Sequence, residues 1–450
     1  MQDLDLSKIK NVHFIGIGGV GISAVARMML HEGKIVTGQD MQSGEIVDEL
    51  VNLGINIKIG QSYENIPEGT DLIVYTIAID TYDPELANKI KGPSRGGQAA
   101  MIPVRSYPEM LDIISRDKYT IAVSGTHGKT TTTAMIAQIL IDSGIDTTVI
   151  VGSLIKNKDG SRTNFIGGNS KYFVVEACEY RRSFLNINPK ILVITNIDND
   201  HLDYYKDIED IKNAFREMAM KVPPDGFVVC NPNDEHIADV VKDIKAKVIN
   251  WGDYFDNNLK LKIPGVHNKK DAAAACAAAS TLGISKKLSE KYILNFPGTW
   301  RRFEFKGKLP NGLLIYDDYA HHPHEITATL EGFRELYKIE DGWKITIIFQ
   351  PHLFSRTKLL LDDFAKSFGD ADQVLILPIY YAREENDGSI SSEILAKEIN
   401  KYTNNAKSFS SFEEAEKYMK VRLPDMDGKD IVVTMGAGEA FKIGEFLLKI

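Results

Sequence analysis

The sequence predicts an α/β protein of three domains, each built on a mainly parallel sheet. Three observations carry that expectation. The chain has 450 residues, long for one domain and comfortable for two or three. Strand and helix signals alternate along it and start afresh three times, which favours doubly wound sheets. Two glycine-rich turns, near residues 16 and 125, each stand between an apolar run and a helical stretch.

In the first region the apolar run Val12–Ile17 is followed by glycines and the helical stretch Ser23–His31. Strand signals return at Ile35–Thr37 and Leu72–Ile77. The segment Lys91–Ala100 (KGPSRGGQAA) is rich in Gly, Pro and Ser and reads as a surface loop. The second region opens with the strand Tyr119–Ser124, a glycine turn and the helix Thr131–Ser143. Tyr172–Val175 and Ile191–Thr195 are further short β-rich runs, and Lys270–Leu282 is an alanine-rich helix. The third region begins near Pro297, with strands at Leu313–Tyr316, Ile345–Phe349, Val374–Leu377 and Ile431–Met435. The expected domains are 1–110, 111–296 and 297–450: Rossmann-like, P-loop-type ATPase, and again Rossmann-like α/β.

Composition narrows the function. With 43% hydrophobic and 26% charged residues the chain has ample core material. A net charge of −9 argues against nonspecific nucleic-acid binding. The three cysteines, Cys178, Cys230 and Cys276, are too scattered for a disulfide framework or a CxxC metal site. The opening MQDLDLSKIK lacks an apolar signal core, and no run reaches the roughly 20 apolar residues of a membrane span. A cytoplasmic protein without membrane insertion is expected.

The most informative segment is Ser124-Gly125-Thr126-His127-Gly128-Lys129-Thr130-Thr131. Glycines let backbone N–H groups turn toward an anion, and the following helix adds a favourable dipole. Lys129 is placed to neutralise β- and γ-phosphates and the Thr130 hydroxyl to bind Mg²⁺. The usual first glycine of such a loop is Val123 here, so Gly125 supplies the flexible position. ATP or GTP binding follows.

Gly16-Ile17-Gly18-Gly19-Val20-Gly21 matches G-x-G-x-x-G, with Asp40 about 20 residues on where a ribose partner sits. Alone it suggests a dinucleotide-dependent dehydrogenase, a nucleotide-dependent oxidoreductase. That reading leaves the second, lysine-bearing loop unexplained. Two nucleotide sites suggest that one nucleotide is a handle on the substrate while the other is consumed.

Glu176, in VVEACEY, and the segment Thr195–His201 (TNIDNDH) both follow strands, where ligands gather in parallel sheets. Hard oxygen ligands suit Mg²⁺. Seven histidines fall in motif-like segments, yet none has H-E-x-x-H spacing, so zinc is disfavoured. In the third region Asp317–Pro323 and Phe349–Thr357 each end a strand, and Arg301 and Arg302 lie close in sequence to the first. Together they look like recognition of an anionic or zwitterionic ligand.

GIGGVGISAVA, SGTHGKTTTT, EACEYRRSFL, TNIDNDH, PGVHN, RRFE, DDYAHHPHEI, FQPHLFSRT and MGAGE occur in that order, and the chain resembles the Mur ligases over nearly its whole length. The resemblance implies that the first domain holds the UDP part of a substrate, with Gly16, Gly18, Gly19, Gly21 and Asp40 at that site. The second would hold ATP, and the third would close over both. It implies phosphate contacts from Gly125, Thr126, His127, Gly128, Lys129, Thr130 and Thr131, and an Mg²⁺ site of Thr130, Glu176 and His201. His267 and Asn268 fall near the adenine, and Arg302 and Asp318 at nucleotide contacts. Tyr319, His321, His352 and Arg356 fall where the family handles the incoming amino acid. Lys129, His201, His321, His352 and Arg356 are then the residues expected to carry the chemistry.

The implied reaction joins L-alanine to the carboxylate of UDP-N-acetylmuramate at the cost of ATP, in cell-wall precursor synthesis, by a monomer or homodimer. A sibling that attaches a preformed peptide is the nearest rival; a nucleotide-regulated binding protein without turnover is another. Three departures stand out. Asp271 replaces the last asparagine of G-x-H-N-x-x-N, Leu353 stands where many relatives carry arginine, and Lys91–Ala100 is longer than usual.

Overall fold

The computed structural model describes residues 4–91, 102–156, 161–201, 204–381 and 384–450. Three sheets form, and the chain divides into two compact units. One comprises Met1–Phe255 with Asp271–Ile293; the other comprises Asp256–Lys270 with Leu294–Ile450.

The first unit carries two sheets. The first has strands β1 (Asn11–Ile15), β2 (Ile35–Asp40), β3 (Asn56–Ile59), β4 (Leu72–Tyr75) and β5 (Val104–Ser106) in the order β3-β2-β1-β4-β5. All its pairings are parallel. β1 and β4 are almost wholly buried, as continuous apolar runs in a covered parallel sheet should be. The second sheet contains β6 (Tyr119–Ser124), β7 (Thr148–Lys156), β8 (Arg162–Ile166), β9 (Tyr172–Glu176), β10 (Ile191–Ile194), β11 (Phe227–Cys230) and β12 (Lys247–Asn250). Its order is β12-β11-β10-β6-β9-β7-β8, parallel except for the β7–β8 pair.

That antiparallel pair ties the two sheets together. Asn164 on β8 is fully buried, and its amide donates to the Val20 carbonyl at 2.5 Å and the Ser23 hydroxyl at 2.8 Å. Both acceptors lie in the first turn of the helix Val20–His31. Arg162 reaches Glu45 at 3.3 Å on the same side. One apolar core accordingly runs from Val12, Phe14 and Met29 through Phe165, Phe173 and Phe215.

The second unit carries β13 (Glu304–Lys308), β14 (Leu314–Asp318), β15 (Lys344–Phe349), β16 (Gln373–Ile376), β17 (Ala406–Ser408) and β18 (Asp430–Met435). They order as β13-β14-β18-β15-β16-β17, and only β13–β14 is antiparallel. Separate apolar cores cover its two faces.

The expected strands fall within a residue or two of those observed, except that β2 runs three residues past the expected Ile35–Thr37. Two expected helices begin earlier than the periodicity suggested, at Val20 and Lys129, because each starts directly from its glycine turn. The alanine-rich helix is Val266–Ser280, with Ala272–Ala279 buried on every side. Of the loop expected at Lys91–Ala100, Lys91 closes the helix Pro84–Lys91, and the rest lies outside the described residues. No described helix is long and apolar enough to cross a membrane.

Candidate active site

β6 lies between β10 and β9, so the turn that follows it opens where neighbouring connections diverge. Gly125 (φ 135°) and Gly128 (φ 79°) hold backbone conformations that L side chains avoid. A Cβ on Gly125 would overlap the Thr195 hydroxyl, and one on Gly128 would overlap the Asp271 carboxylate. Gly128 caps the helix Lys129–Asp142, which places Lys129 at its first position.

The turn is laced to the segment after β10. Thr126 N–H donates to the Asn196 carbonyl at 3.1 Å and His127 N–H to the Asn196 side chain at 2.9 Å. The Thr195 hydroxyl and Asn196 amide both reach the His127 carbonyl, at 2.6 and 3.0 Å. Asp198 N–H donates to the Thr126 hydroxyl at 2.9 Å, and the Asp198 carboxylate lies 3.3 Å from His127 Nε2. The loop is thus rigid before any ligand is considered.

Lys129 Nζ donates to the Gly125 and Thr126 carbonyls at 2.5 and 2.9 Å and pairs with the Glu179 carboxylate at 3.0 Å. Burial pulls its pKa down, but Glu179 and, more weakly, Glu176 outweigh that, so the net shift is upward and the ammonium stays charged. Glu179 is 2% exposed, its carbonyl accepts the Tyr205 hydroxyl at 2.5 Å, and its carboxylate lies 3.7 Å from His201 Nε2. His201 has φ 55°, and its ring lies tilted against that of Tyr180 with centroids 4.7 Å apart. Two expected residues, Lys129 and His201, therefore meet through a carboxylate that the sequence reading passed over. Glu176 accepts Gly152 N–H at 2.7 Å and is near enough to Lys129 to raise its pKa. Thr131 is buried beneath the turn and Thr130 is half-buried beside Lys129. These groups fit a polyphosphate with a hard cation: a preformed N–H-lined turn, a fixed ammonium, a hydroxyl and oxygen ligands. Asp271, noted for its departure from an asparagine, stands against Gly128.

The other glycine turn follows β1. Gly16 (φ 74°) and Ile17 donate their N–H groups to the Gln39 carbonyl at 2.9 and 3.2 Å. Gly18 N–H donates to Asp40 at 2.7 Å, so the carboxylate expected to meet a ribose closes its own turn. Gly19 N–H returns to the Gly16 carbonyl, and Gly21 packs under the Tyr107 ring.

In the second unit the two neighbouring arginines part company. Arg301 is 3% exposed and bonds Asp317 at 2.6 Å, the Gly438 carbonyl at 2.9 Å and the Gly436 carbonyl at 2.7 Å. Its guanidinium holds the MGAGE segment in place and is spent on that task, contrary to the expected ligand recognition. Arg302 instead lies 3.4 Å from Glu325 and 5.2 Å from the Tyr319 ring. Asp318 accepts Phe303 N–H at 2.7 Å and Ala320 N–H at 2.8 Å. Burial raises its pKa to about 6 against the pull of Arg302 and those two amides. His267 and Asn268 touch at 3.1 Å, and Asn268 also donates to the Pro264 carbonyl at 2.6 Å. Burial, with Arg302, lowers the His267 pKa to about 4.

Tyr319, His321, His352 and Arg356 form a chain of contacts. The His321 ring lies 5.4 Å from Tyr319 and 6.0 Å from His352, and Arg356 lies 3.4 Å from His352 Nδ1. Behind them stands Tyr380, stacked on the His352 ring at 5.5 Å. It had no sequence signal: it is 28 residues from His352 and belongs to no turn or cap motif.

The fold and first site define a nucleotide-binding α/β protein whose P-loop-type lysine is held by a buried carboxylate. Comparison with known proteins narrows the class. Residues 11–119 match the model described as Mur ligase family, catalytic domain; 123–258 match the Mur ligase middle domain; and 301–438 match the Mur ligase, glutamate ligase domain. A UDP-N-acetylmuramate–L-alanine ligase from Acetivibrio thermocellus is 40% identical, covering 99% of this chain and 97% of its own length. One of the same description from Caldicellulosiruptor saccharolyticus is 42% identical, with 96% and 97% covered. The solved UDP-N-acetylmuramate-alanine ligase of Thermotoga maritima superposes with a TM-score of 0.77 at 26% identity, covering 98% of each chain. The chain belongs to the Mur ligase family.

Proposed function

We propose that this chain joins L-alanine to the carboxylate of UDP-N-acetylmuramate with consumption of ATP and with Mg²⁺, in the cytoplasm, in peptidoglycan precursor synthesis. One observation carries the reading: identity of about 40% to ligases of that description runs through the whole chain, both phosphate turns included. The domain roles follow as 1–110 for the UDP-sugar, 111–296 for ATP and 297–450 for amide formation.

ATP supplies a phosphoryl group that makes the carboxylate an acyl donor, and Mg²⁺ supplies charge beside it. The carboxylate oxygen attacks the γ-phosphorus and ADP leaves; the alanine nitrogen attacks the carbonyl carbon and phosphate leaves. Lys129 neutralises the transferring group from a fixed position, so little reorganisation is needed during reaction. Thr130, Glu176 and His201 would hold Mg²⁺, and Glu179 keeps Lys129 and His201 in register. Gly125–Thr131 line the phosphates, His267 and Asn268 the adenine, and Arg302 and Asp318 the nucleotide. Gly16–Gly21 and Asp40 take the UDP moiety. Arg356 is suited to the alanine carboxylate. The imidazole of His321 or His352 can accept the amine proton.

The test is phosphate release from ATP with UDP-N-acetylmuramate and L-alanine supplied singly and together. Release that needs both, with a product heavier by one alanine residue, is expected. Release with a peptide but not with alanine would transfer the assignment to the peptide-adding sibling. No release in any mixture would refute the activity.

A further inference from the structure

The helix Phe354–Leu359 carries Arg356, and its start is built against local preference. The residue before it, Leu353, has no side-chain acceptor for the first exposed N–H groups. It also sits at φ 72° and ψ 135°, which a branched side chain avoids. Such a conformation persists only where surrounding bonds over-determine it. Those bonds come from one distant loop. Leu353 N–H donates to the Tyr380 carbonyl at 2.9 Å, and Tyr380 N–H donates to the Pro351 carbonyl at 2.8 Å. Four residues on, Glu384 accepts Ser355 N–H at 3.0 Å and the Ser355 hydroxyl as well.

We infer that Glu384 is a positioning residue for the amino-acid site: its carboxylate caps, from another loop, the helix that carries Arg356. The inference rests on the assignment of Arg356 and His352 to the incoming alanine. A carboxylate at this place does what an Asp or Ser at position 353 does in an ordinary helix start, with the added favour of a negative charge at the positive end. The same loop braces His352 through the stacked Tyr380 ring. Loop and helix therefore hold the helix start that carries Arg356 and the His352 ring beside it through bonds made within the second unit. The expected consequence is selective: loosening this cap disturbs alanine and spares ATP.

The experiment compares the full-length wild type with Glu384→Ala, Glu384→Gln, Ser355→Ala and the double variant Glu384→Ala/Ser355→Ala. Glu384→Ala is expected to raise KM for L-alanine roughly fivefold to tenfold, as loss of one cap predicts. KM for ATP should stay within about twofold, and Glu384→Gln, which keeps an acceptor, should fall between. The double variant should add little to Glu384→Ala, because one interaction is removed twice. Amide exchange at residues 353–357 should quicken in Glu384→Ala while residues 125–131 keep the wild-type rate. An unchanged alanine KM despite faster exchange overturns the inference, as does an equal rise in every KM. If the wild type shows no alanine-dependent release, the functional reading itself fails. Exchange then judges the cap alone: quickening at 353–357 upholds it and no quickening removes it.

Discussion

Two glycine turns, each between a parallel strand and a helix, use glycine for opposite reasons. In the turn after β1 only Gly16 has a positive φ (74°), whereas Gly18, Gly19 and Gly21 have ordinary backbone angles and provide room. A Cβ on Gly18 would come within 2.8 Å of Val47, and one on Gly21 within 2.7 Å of the Tyr107 ring. In the turn after β6, Gly125 and Gly128 provide conformation: both have positive φ and both meet polar groups of the site. The first turn is closed by a carboxylate, Asp40; the second is tied by a cation, Lys129. Similar punctuation in sequence thus marks a packed turn in one place and a strained, charged one in the other.

The largest separation of the two should come from charge. Lys129→Met is expected to lower the phosphate-release rate by roughly a thousandfold, the scale of a lost transition-state donor. Binding of UDP-sugar, measured by calorimetry, should remain near wild type. A loss at both sites would break the distinction.

Next is conformation against room. Gly128→Ala should cost about 3 kcal/mol through positive φ and overlap with Asp271, and no neighbouring truncation should rescue it. Gly21→Ala should cost about 2 kcal/mol by overpacking. Tyr107→Leu should recover much of that, because only a side chain stands in the way. Denaturation by urea of the two single variants and the pair reads the difference. Rescue of Gly128→Ala by an Asp271 truncation would show that its φ is not the constraint.

Both turns were legible because each is a local pattern: a strand, glycines at fixed offsets, a helix. The ten central strands of the three sheets were legible for the same reason, whereas the eight others, β3, β5, β7, β8, β11, β12, β13 and β17, were not expected. What escaped depends on distance in sequence. Glu176 and Glu179 stand three residues apart in one motif, and nothing in spacing tells that the second turns toward Lys129. Arg301 and Arg302 are adjacent, yet one is locked inward by Asp317 and two carbonyls. The β7–β8 pair, with Asn164 reaching the first helix, interrupts a parallel series that alternation alone would continue. Glu384 lies 29 residues from Ser355, and its role appears only when β15 and β16 bring their following loops together.

The smallest effect concerns pH and the first turn alone. His13 lies on β1, 1% exposed, two residues before Ile15 and the glycines. Gln39 Oε1 accepts Ser62 N–H at 2.7 Å, which turns the Gln39 amide nitrogen toward His13 Nε2 at 3.1 Å. Nε2 is thereby an acceptor, and the ring proton sits on Nδ1, 2.8 Å from the Thr37 hydroxyl. Burial, aided by Lys58, lowers the His13 pKa to about 4. The folded state therefore binds fewer protons than the unfolded chain between about pH 4 and 6.5, so stability is full above pH 6.5 and falls as the pH drops. The slope is about 1.4 kcal/mol per unit for this residue. His267, lowered the same way, adds its share to the second unit. Because Gln39 also holds Gly16 and Ile17 through its carbonyl, acid should weaken UDP-sugar binding before ATP binding. His13→Asn should flatten the decline in unfolding free energy from urea titrations between pH 6.5 and 5.5 by about 1 kcal/mol. A decline as steep as in the wild type would assign the acid sensitivity elsewhere.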